Sequence, residues 1–167
     1  MAEASGDEDN SPVDLVVEDA RWEDIDIAAL ATRAAVAALM EVGRDPERHE
    51  LALLACDDAR ISALNAGFRD KAAATNVLSW PAFEGVPPTP DEEEPLFLGD
   101  IAIAWETCAQ EAAAAGISLA DHATHLVIHG VLHLLGYDHV QDPDAEAMEI
   151  IETKALASLG IPDPYSR

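Results

Sequence analysis

The sequence predicts a single α+β domain in which helices pack against a four-stranded mixed sheet. Apolar residues alternate with polar ones in short stretches, as in half-buried strands, and recur every three or four residues in longer alanine-rich stretches, as in helices. These stretches follow the order β-α-β-α-β-β-α-α-α, so the two adjacent strands are expected to pair antiparallel. With 167 residues and 49% hydrophobic content, the chain suits one domain with its own core.

The first half of the chain opens with an acidic tail. Residues 1–12 have almost no apolar side chains and are predicted to be disordered, which leaves 13–167 as the single domain. The next elements predicted are a strand at 13–17, a long helix at 25–42, a strand at 50–56 covered on both faces, and a short helix at 57–68. Arg69 is expected in the loop that follows this short helix.

The second half begins with two strands and ends with three helices. The elements predicted are strands at 76–80 and 97–104, a helix at 106–115 stopped by Gly116, a helix from the Ser118 cap to Gly136, and a last helix starting at Asp142. The last helix is expected to bury one stripe of apolar side chains, namely Met148, Ile151, Ala155 and Leu159.

Composition excludes several classes of protein. There is no apolar run of about 18 residues and no signal-peptide pattern, so we expect a cytoplasmic protein without a membrane partner. No glycine-rich loop follows a strand, which argues against a nucleotide cofactor. Cys56 and Cys108 are too few for a disulfide framework and are predicted to be buried thiols.

The net charge of -24 argues, taken alone, against a polyanionic partner such as RNA. The acidic residues are clustered, however, and three of the nine basic residues fall within twelve positions: Arg60, Arg69 and Lys71. This basic group is either a local phosphate site or an ordinary solvated helix end.

The helix that begins at Ser118 carries four histidines on one narrow stripe: His122, His125, His129 and His133. His129 and His133 stand four residues apart and can aim two ring nitrogens at one point, while a turn at Gly136 can return His139 as a third ligand. Three ligands leave one position on Zn²⁺ open for water, as in catalytic sites. Solvated histidines on a polar face are the alternative, and for His122 or His125 alone it is the preferred one.

The pattern His-x-x-x-His-x-x-Gly-x-x-His matches the ligand spacing of the metzincin metalloproteases. In those enzymes the residue after the first histidine is the glutamate that acts as general base, but here that residue is Gly130. The site is therefore expected to activate water without the usual proteolytic base.

The segment HGVLHLLGYDH resembles the signature of the bacterial YbeY family of zinc-dependent endoribonucleases. The resemblance extends to LNAGFRDKAAATNVLSWP and LGDIAIAW, and so covers most of residues 51–160. It implies a zincin-like fold, one zinc ion per chain on His129, His133 and His139, and a catalytic arginine at Arg69. One position departs from the family, which usually has aspartate where this chain has Asn76.

The resemblance implies a zinc-dependent, single-strand-specific endoribonuclease. It would act in rRNA maturation at the 3′ end of the small-subunit rRNA and in ribosome quality control, with ribosomal RNA and the small subunit or its proteins as partners. Zinc would polarise a phosphoryl oxygen or generate hydroxide, and Arg69 would hold the phosphate. Two alternatives stay open: a zincin-type metallopeptidase, and a non-catalytic ribosome assembly factor with structural zinc.

Overall fold

The computed structural model describes residues 11–69, 74–91, 93–138 and 142–165, without the side chains of 67–69 and 142. The predicted order of elements is confirmed. The strands are β1 (Val13–Val17), β2 (His49–Cys56), β3 (Val77–Pro81) and β4 (Leu96–Ala104), and the helices are α1 (Ile27–Glu41), α2 (Asp58–Arg69), α3 (Trp105–Ala115), α4 (Leu119–Leu134) and α5 (Asp142–Ser158). Two short 3₁₀ turns, Ala20–Ile25 and Pro46–Arg48, precede α1 and β2.

The four strands form one mixed sheet in the order β1-β2-β4-β3. β1, β2 and β4 run parallel, with α1 in the connection from β1 to β2 and α2 in the connection from β2 to β4. β3 and β4 pair antiparallel, as predicted. β3 therefore lies at one edge of the sheet. The predicted α+β class and four-stranded mixed sheet are both confirmed.

Two element boundaries differ from the prediction for identifiable reasons. α1 begins at Ile27 rather than at residue 25, because the preceding turn ends on Asp26 in the left-handed conformation (φ 51°), which aspartate tolerates better than most residues. At the other end of the fold, Arg69 is the last residue of α2 and not part of the following loop.

The main core lies between α1, α4 and one face of the sheet. Buried side chains from these layers meet there, including Leu30, Leu53, Ile101 and Ile128. α2 covers the second face only in part, with a smaller cluster around Ile61. The expectation that β2 is covered on both faces is therefore wrong for its second face, where Ala52 and Leu54 are only half-buried.

The histidine helix α4 occupies the centre of the fold, in contact with α1, α3, α5, β3 and β4. Its N-terminus is capped as predicted, because the Ser118 hydroxyl accepts a hydrogen bond of 3.1 Å from the Asp121 amide. Gly136, with φ of 97°, follows its last turn. A helix buried on several sides can hold its remaining polar edge in a fixed orientation, and this edge carries the histidines.

An acidic tail was predicted for residues 1–12, and residues 1–10 of it lie outside the described residues. Ser11 and Pro12 are described and belong to the packed structure, since the Ser11 hydroxyl is 2.7 Å from that of Thr32 and the Pro12 carbonyl accepts from the Leu51 amide at 2.8 Å. Within the described ranges, no helix combines the length and the apolar character needed to cross a membrane.

Candidate metal centre and groove

His129 and His133 lie one turn apart on α4, and their rings converge. The two Nε2 atoms are 3.0 Å apart, with ring centroids 4.5 Å apart and an interplanar angle of 83°. The helical spacing of four residues produces this approach, because both side chains project from the same face. The structure thus brings together two of the three predicted ligands.

The hydrogen bonds of the other ring nitrogens indicate the tautomer of each histidine. His133 Nδ1 lies 3.0 Å from the Tyr137 carbonyl oxygen, which can only accept, so Nδ1 carries the proton. His129 Nδ1 lies 2.5 Å from a carboxylate oxygen of Glu152 and donates to it. The Nε2 atoms, which converge at 3.0 Å, are therefore the ring nitrogens through which a metal ion would bind, since a metal takes the lone pair of an imidazole nitrogen that carries no proton.

The residues present fit a zinc ion. With Zn–N bonds of about 2.0–2.1 Å, two tetrahedral ligands stand roughly 3.3 Å apart, so a small ring rotation would adapt the observed pair. Hydrogen bonds from Nδ1 to a carboxylate and to a backbone carbonyl are also the usual outer-shell partners of zinc-bound histidine. The third predicted ligand, His139, lies outside the described residues, and within them no set of three potential ligands surrounds one point.

Glu152 contacts a candidate ligand and is a candidate site residue that sequence reasoning missed. It lies on α5 with 0% of its surface exposed, in a buried stripe with Met148, Ala155 and Leu156, while the predicted member Ile151 is only half-buried. The sequence could have indicated that Glu152 is buried, since it stands four residues after Met148 and three before Ala155, at helical spacing. A glutamate at such a position requires buried partners, but the sequence does not identify them.

Burial on its own would raise the pKa of Glu152. Hydrogen bonds from His125, His129 and Tyr165 outweigh burial and lower the pKa to about 2, so the carboxylate is ionised at neutral pH. An ionised acceptor keeps the proton of His129 on Nδ1 and leaves Nε2 for a metal ion.

The two remaining histidines of α4 face away from this point. His122 Nε2 is 2.8 Å from a Glu111 oxygen, and His125 Nε2 is 2.9 Å from Glu152. The ring of His125 is also farther from that of His129, with centroids 6.5 Å apart. Both histidines are thus paired with carboxylates and mostly buried, rather than solvated as the alternative interpretation expects.

A groove of about 770 Å³ opens over the histidine pair. Its described lining is mostly neutral and polar or small: Asn65, Thr75, Asn76, Val77, Leu78, Ser79, Pro81, Phe83, Gly85, His129, Gly130, His133, Gly136, Tyr137 and Asp138. Asp138 is the one acidic residue in this lining. Although the chain has a net charge of -24, its acidic side chains therefore lie mainly outside the described walls of the groove.

Gly130 marks a close approach between α4 and the central strand β4. A Cβ atom at this position would lie 2.9 Å from Cδ1 and 3.2 Å from Cγ2 of the buried Ile101. A glutamate, the base found here in proteases of matching spacing, would require the Ile101 side chain to shift within the core. The packing thus gives a structural reason for glycine.

Gly136 forms a second close approach, at the end of α4. A Cβ atom there would lie 2.7 Å from the carbonyl carbon of Gly85 and 2.9 Å from the amide nitrogen of Val86. The backbone around Gly85 therefore packs directly on the turn that presents the Tyr137 carbonyl to His133. This turn supports one of the candidate ligands.

Replacing Gly136 with alanine is expected to destabilise the protein by about 2 kcal/mol or more, because the variant combines a left-handed conformation with a backbone clash. Chemical denaturation of the metal-free protein measures this loss. Gly160→Ala is the matched control, since Gly160 has φ of 78° but nothing within 4 Å of an added Cβ. An equal decrease in the free energy of unfolding in the two variants would show that the contact with Gly85 does not contribute to stability.

Asn76, at the position where the family usually has aspartate, is held by two hydrogen bonds. Its Nδ2 donates to Glu111 Oε1 at 3.0 Å, and its Oδ1 accepts from the Val77 amide at 2.7 Å. An aspartate here would face the carboxylate of Glu111, whereas the asparagine amide complements it. In this chain the negative charge near residue 76 therefore comes from Glu111, which His122 also contacts.

The described parts of the predicted basic group lie at opposite ends of α2. Arg60 lies near the start of α2 and pairs with Glu18 at 3.3 Å, whereas Arg69 ends the same helix, about 14 Å away along its axis. Lys71 is outside the described residues, as is the side chain of Arg69. Arg69 is four residues after Asn65, a groove residue, and so shares its face of α2.

Both cysteines are buried free thiols, as predicted. Burial raises the pKa of each to about 12, and neither lines the described part of the groove. Cys56 donates to the Ile103 carbonyl at 3.4 Å, and Cys108 donates to the Asn76 carbonyl at 3.7 Å. A structural zinc site with a cysteine as fourth ligand thus has no support in this arrangement.

Comparisons with known proteins agree on one family. The family model described as Endoribonuclease YbeY matches residues 17–160, which include all of α4. A protein of that name from Ruegeria pomeroyi is 55% identical over 163 residues, covering 92% of this chain and 98% of the relative. Another from Cereibacter sphaeroides is 53% identical over 165 residues, with the same two coverages of 92% and 98%.

The fold is also found in a solved structure. The solution structure of TM1509 from Thermotoga maritima matches with a TM-score of 0.57 and 19% sequence identity, covering 93% of this chain and 99% of that one. At this identity the likeness shows a shared fold.

Proposed function

The chain belongs to the YbeY family of endoribonucleases, and from this premise we propose that it is a zinc-dependent, single-strand-specific endoribonuclease. Cleavage of RNA in rRNA processing follows from the family. The proposal adds the metal and its ligands, the role of Arg69, and action at the 3′ end of the small-subunit rRNA and in ribosome quality control. It also includes a cytoplasmic location and the small ribosomal subunit or its proteins as partners.

One observation carries the metal assignment. The Nε2 atoms of His129 and His133 converge to 3.0 Å at the groove, while their Nδ1 atoms are fixed by Glu152 and the Tyr137 carbonyl. Two imidazoles oriented in this way can bind one zinc ion per chain through Nε2, and we assign His139 as the third ligand. Zinc at such a site supplies a Lewis acid for a phosphoryl oxygen and lowers the pKa of bound water towards ~7.

The protein's own residues position the substrate and offset its charge. We assign Arg69, at the end of α2 on the same helix face as Asn65, to hold the scissile phosphate. A guanidinium suits this role because its planar fork binds phosphate through two hydrogen bonds and keeps its charge. It would also offset the charge that grows on the phosphate oxygens in the transition state. The neutral walls of the groove add little repulsion to an incoming RNA strand.

Gly130 argues against the metallopeptidase alternative. Peptide hydrolysis benefits by roughly 10²- to 10⁴-fold from a general base that also delivers a proton to the leaving amine. Glycine cannot provide this group, and a side chain at this position would contact the buried Ile101 too closely unless Ile101 shifted. Phosphodiester cleavage depends more on positioning and charge neutralisation, which the histidine site and Arg69 can supply.

The overall charge has a consequence for substrate delivery. With a net charge of -24, the protein repels free RNA at long range even where its groove is neutral. We therefore propose that a ribosomal partner brings the RNA to the groove. This predicts faster cleavage of rRNA in small-subunit particles than of the same RNA in naked form.

The proposal is tested by measuring zinc in the purified protein and comparing its action on RNA and on peptides. We expect about one zinc ion per chain, cleavage of unstructured RNA that a chelator stops and added zinc restores, and negligible peptide hydrolysis at the same enzyme concentration. Zinc-dependent hydrolysis of unstructured peptides, with no cleavage of naked or ribosomal RNA, would contradict it.

A further inference from the structure

Three side chains from two parts of the chain, α4 and the segment after α5, meet at the buried carboxylate of Glu152. His129 Nδ1 lies 2.5 Å from one oxygen, Oε2. The other oxygen, Oε1, accepts from His125 Nε2 at 2.9 Å and from the Tyr165 hydroxyl. Both oxygens are thus held, and the plane of the carboxylate is fixed relative to the His129 ring.

Tyr165 reaches this point from the segment that follows α5. Its amide donates to Asp163 Oδ1 at 2.8 Å, and the Thr153 hydroxyl donates to the same oxygen at 3.3 Å. Thr153 is the neighbour of Glu152 on α5, so the segment is attached to this helix at two adjacent residues. The Tyr165 ring also packs edge to face on His125, with centroids 5.6 Å apart.

We propose that Tyr165 is a positioning residue of the metal centre, acting through Glu152 on His129. The inference rests on the proposed zinc site. The terminal torsion of a glutamate is broad, so the orientation of the carboxylate depends on the hydrogen bonds to its two oxygens. Tyr165 shares Oε1 with His125, and without the tyrosine hydroxyl this oxygen would be held from α4 alone. Fixing Oε1 aims Oε2 at His129 Nδ1, and this hydrogen bond orients Nε2 towards the metal. The segment after α5 thereby becomes part of the support of a ligand on α4.

The test is a double-mutant cycle on zinc affinity, measured by competition with a chelator. Glu152→Gln removes the charged acceptor and should weaken zinc binding by roughly 10- to 100-fold. Tyr165→Phe removes one donor and should weaken it by roughly 3- to 10-fold in the otherwise unchanged protein. Combined with Glu152→Gln, the tyrosine change should have less than about 2-fold effect, since its route to His129 is already lost.

The cycle separates positioning from general stabilisation. If Tyr165 only held the fold together, its replacement would weaken zinc binding equally with and without Glu152→Gln, and that result would overturn the inference. Melting of the metal-free protein is measured alongside, so that any loss of stability from the missing hydrogen bond to Glu152 is separated from the loss of zinc affinity. Ser158→Ala, which removes a hydroxyl bonded to the Ala155 carbonyl of the same helix, should change neither quantity.

The outcomes for the two proposals are distinct. If the unmutated protein contains no zinc as purified and takes up none when zinc is added, both the proposed function and this inference are wrong. A parent protein that binds zinc, with affinity unaltered by Tyr165→Phe, leaves the proposed function standing and overturns the inference alone.

Discussion

Replacing either His129 or His133 with alanine is expected to leave the protein without zinc and to reduce RNA cleavage by more than about 100-fold. Loss of an outer-shell partner of a metal ligand already weakens metal binding about 10- to 100-fold, so loss of a ligand should weaken it further. His139→Ala should behave in the same way if His139 is the third ligand. Metal analysis after purification and cleavage assays at saturating zinc measure the two effects.

The other histidines of α4 provide matched controls within the same helix. His122 pairs with Glu111, so His122→Ala should keep both zinc and activity. His125 contacts Glu152 but not the point between His129 and His133, so His125→Ala should weaken zinc binding without abolishing it. The opposite pattern, in which His125→Ala empties the site and His133→Ala leaves it filled, would mean that the ligand register is shifted by one turn.

The features that the sequence predicted well are those that depend on near neighbours in the chain. Ser118 and Asp121 identify the start of α4, Gly136 follows its end, and the four-residue spacing brings His129 to His133. Each depends on at most one or two turns of backbone, where capping preferences and helical periodicity are strong. The alternation in β1 is local in the same way, whereas the antiparallel pairing of β3 with β4 was predicted because the two are consecutive strands with no helix between them.

The features that the sequence did not reveal depend on contacts between distant segments. Glu152 lies 23 residues from His129, and no periodicity indicates that the two side chains meet. Arg60 and Arg69 were grouped because they are close in sequence. In the structure they lie near opposite ends of the same helix, α2. The sequence shows that Gly130 cannot act as a base, but only the structure shows that a side chain there would press on the buried Ile101.

Replacing Arg69 with lysine is expected to slow RNA cleavage by roughly 10- to 100-fold while zinc content stays the same. Lysine keeps the positive charge but cannot form the two parallel hydrogen bonds that a guanidinium offers to a phosphate. If this contact strengthens as charge develops on the phosphate oxygens, the loss should fall mainly on kcat rather than on KM. Single-turnover and steady-state cleavage of an unstructured RNA separate the two parameters.

Arg60→Lys is the control for this experiment, because Arg60 lies on the same helix and its guanidinium pairs with Glu18 at the surface. A half-exposed pair of this kind adds about 1 kcal/mol at most, so the control should keep both its stability and its cleavage rate. Arg69→Lys should also keep its melting temperature if Arg69 serves the substrate, because both residues are good helix formers and Arg69 is the last residue of α2. Unchanged cleavage in Arg69→Lys, or a large fall in its melting temperature with no fall in the control, would assign Arg69 to the support of α2. The phosphate contact would then have to come from elsewhere in the groove.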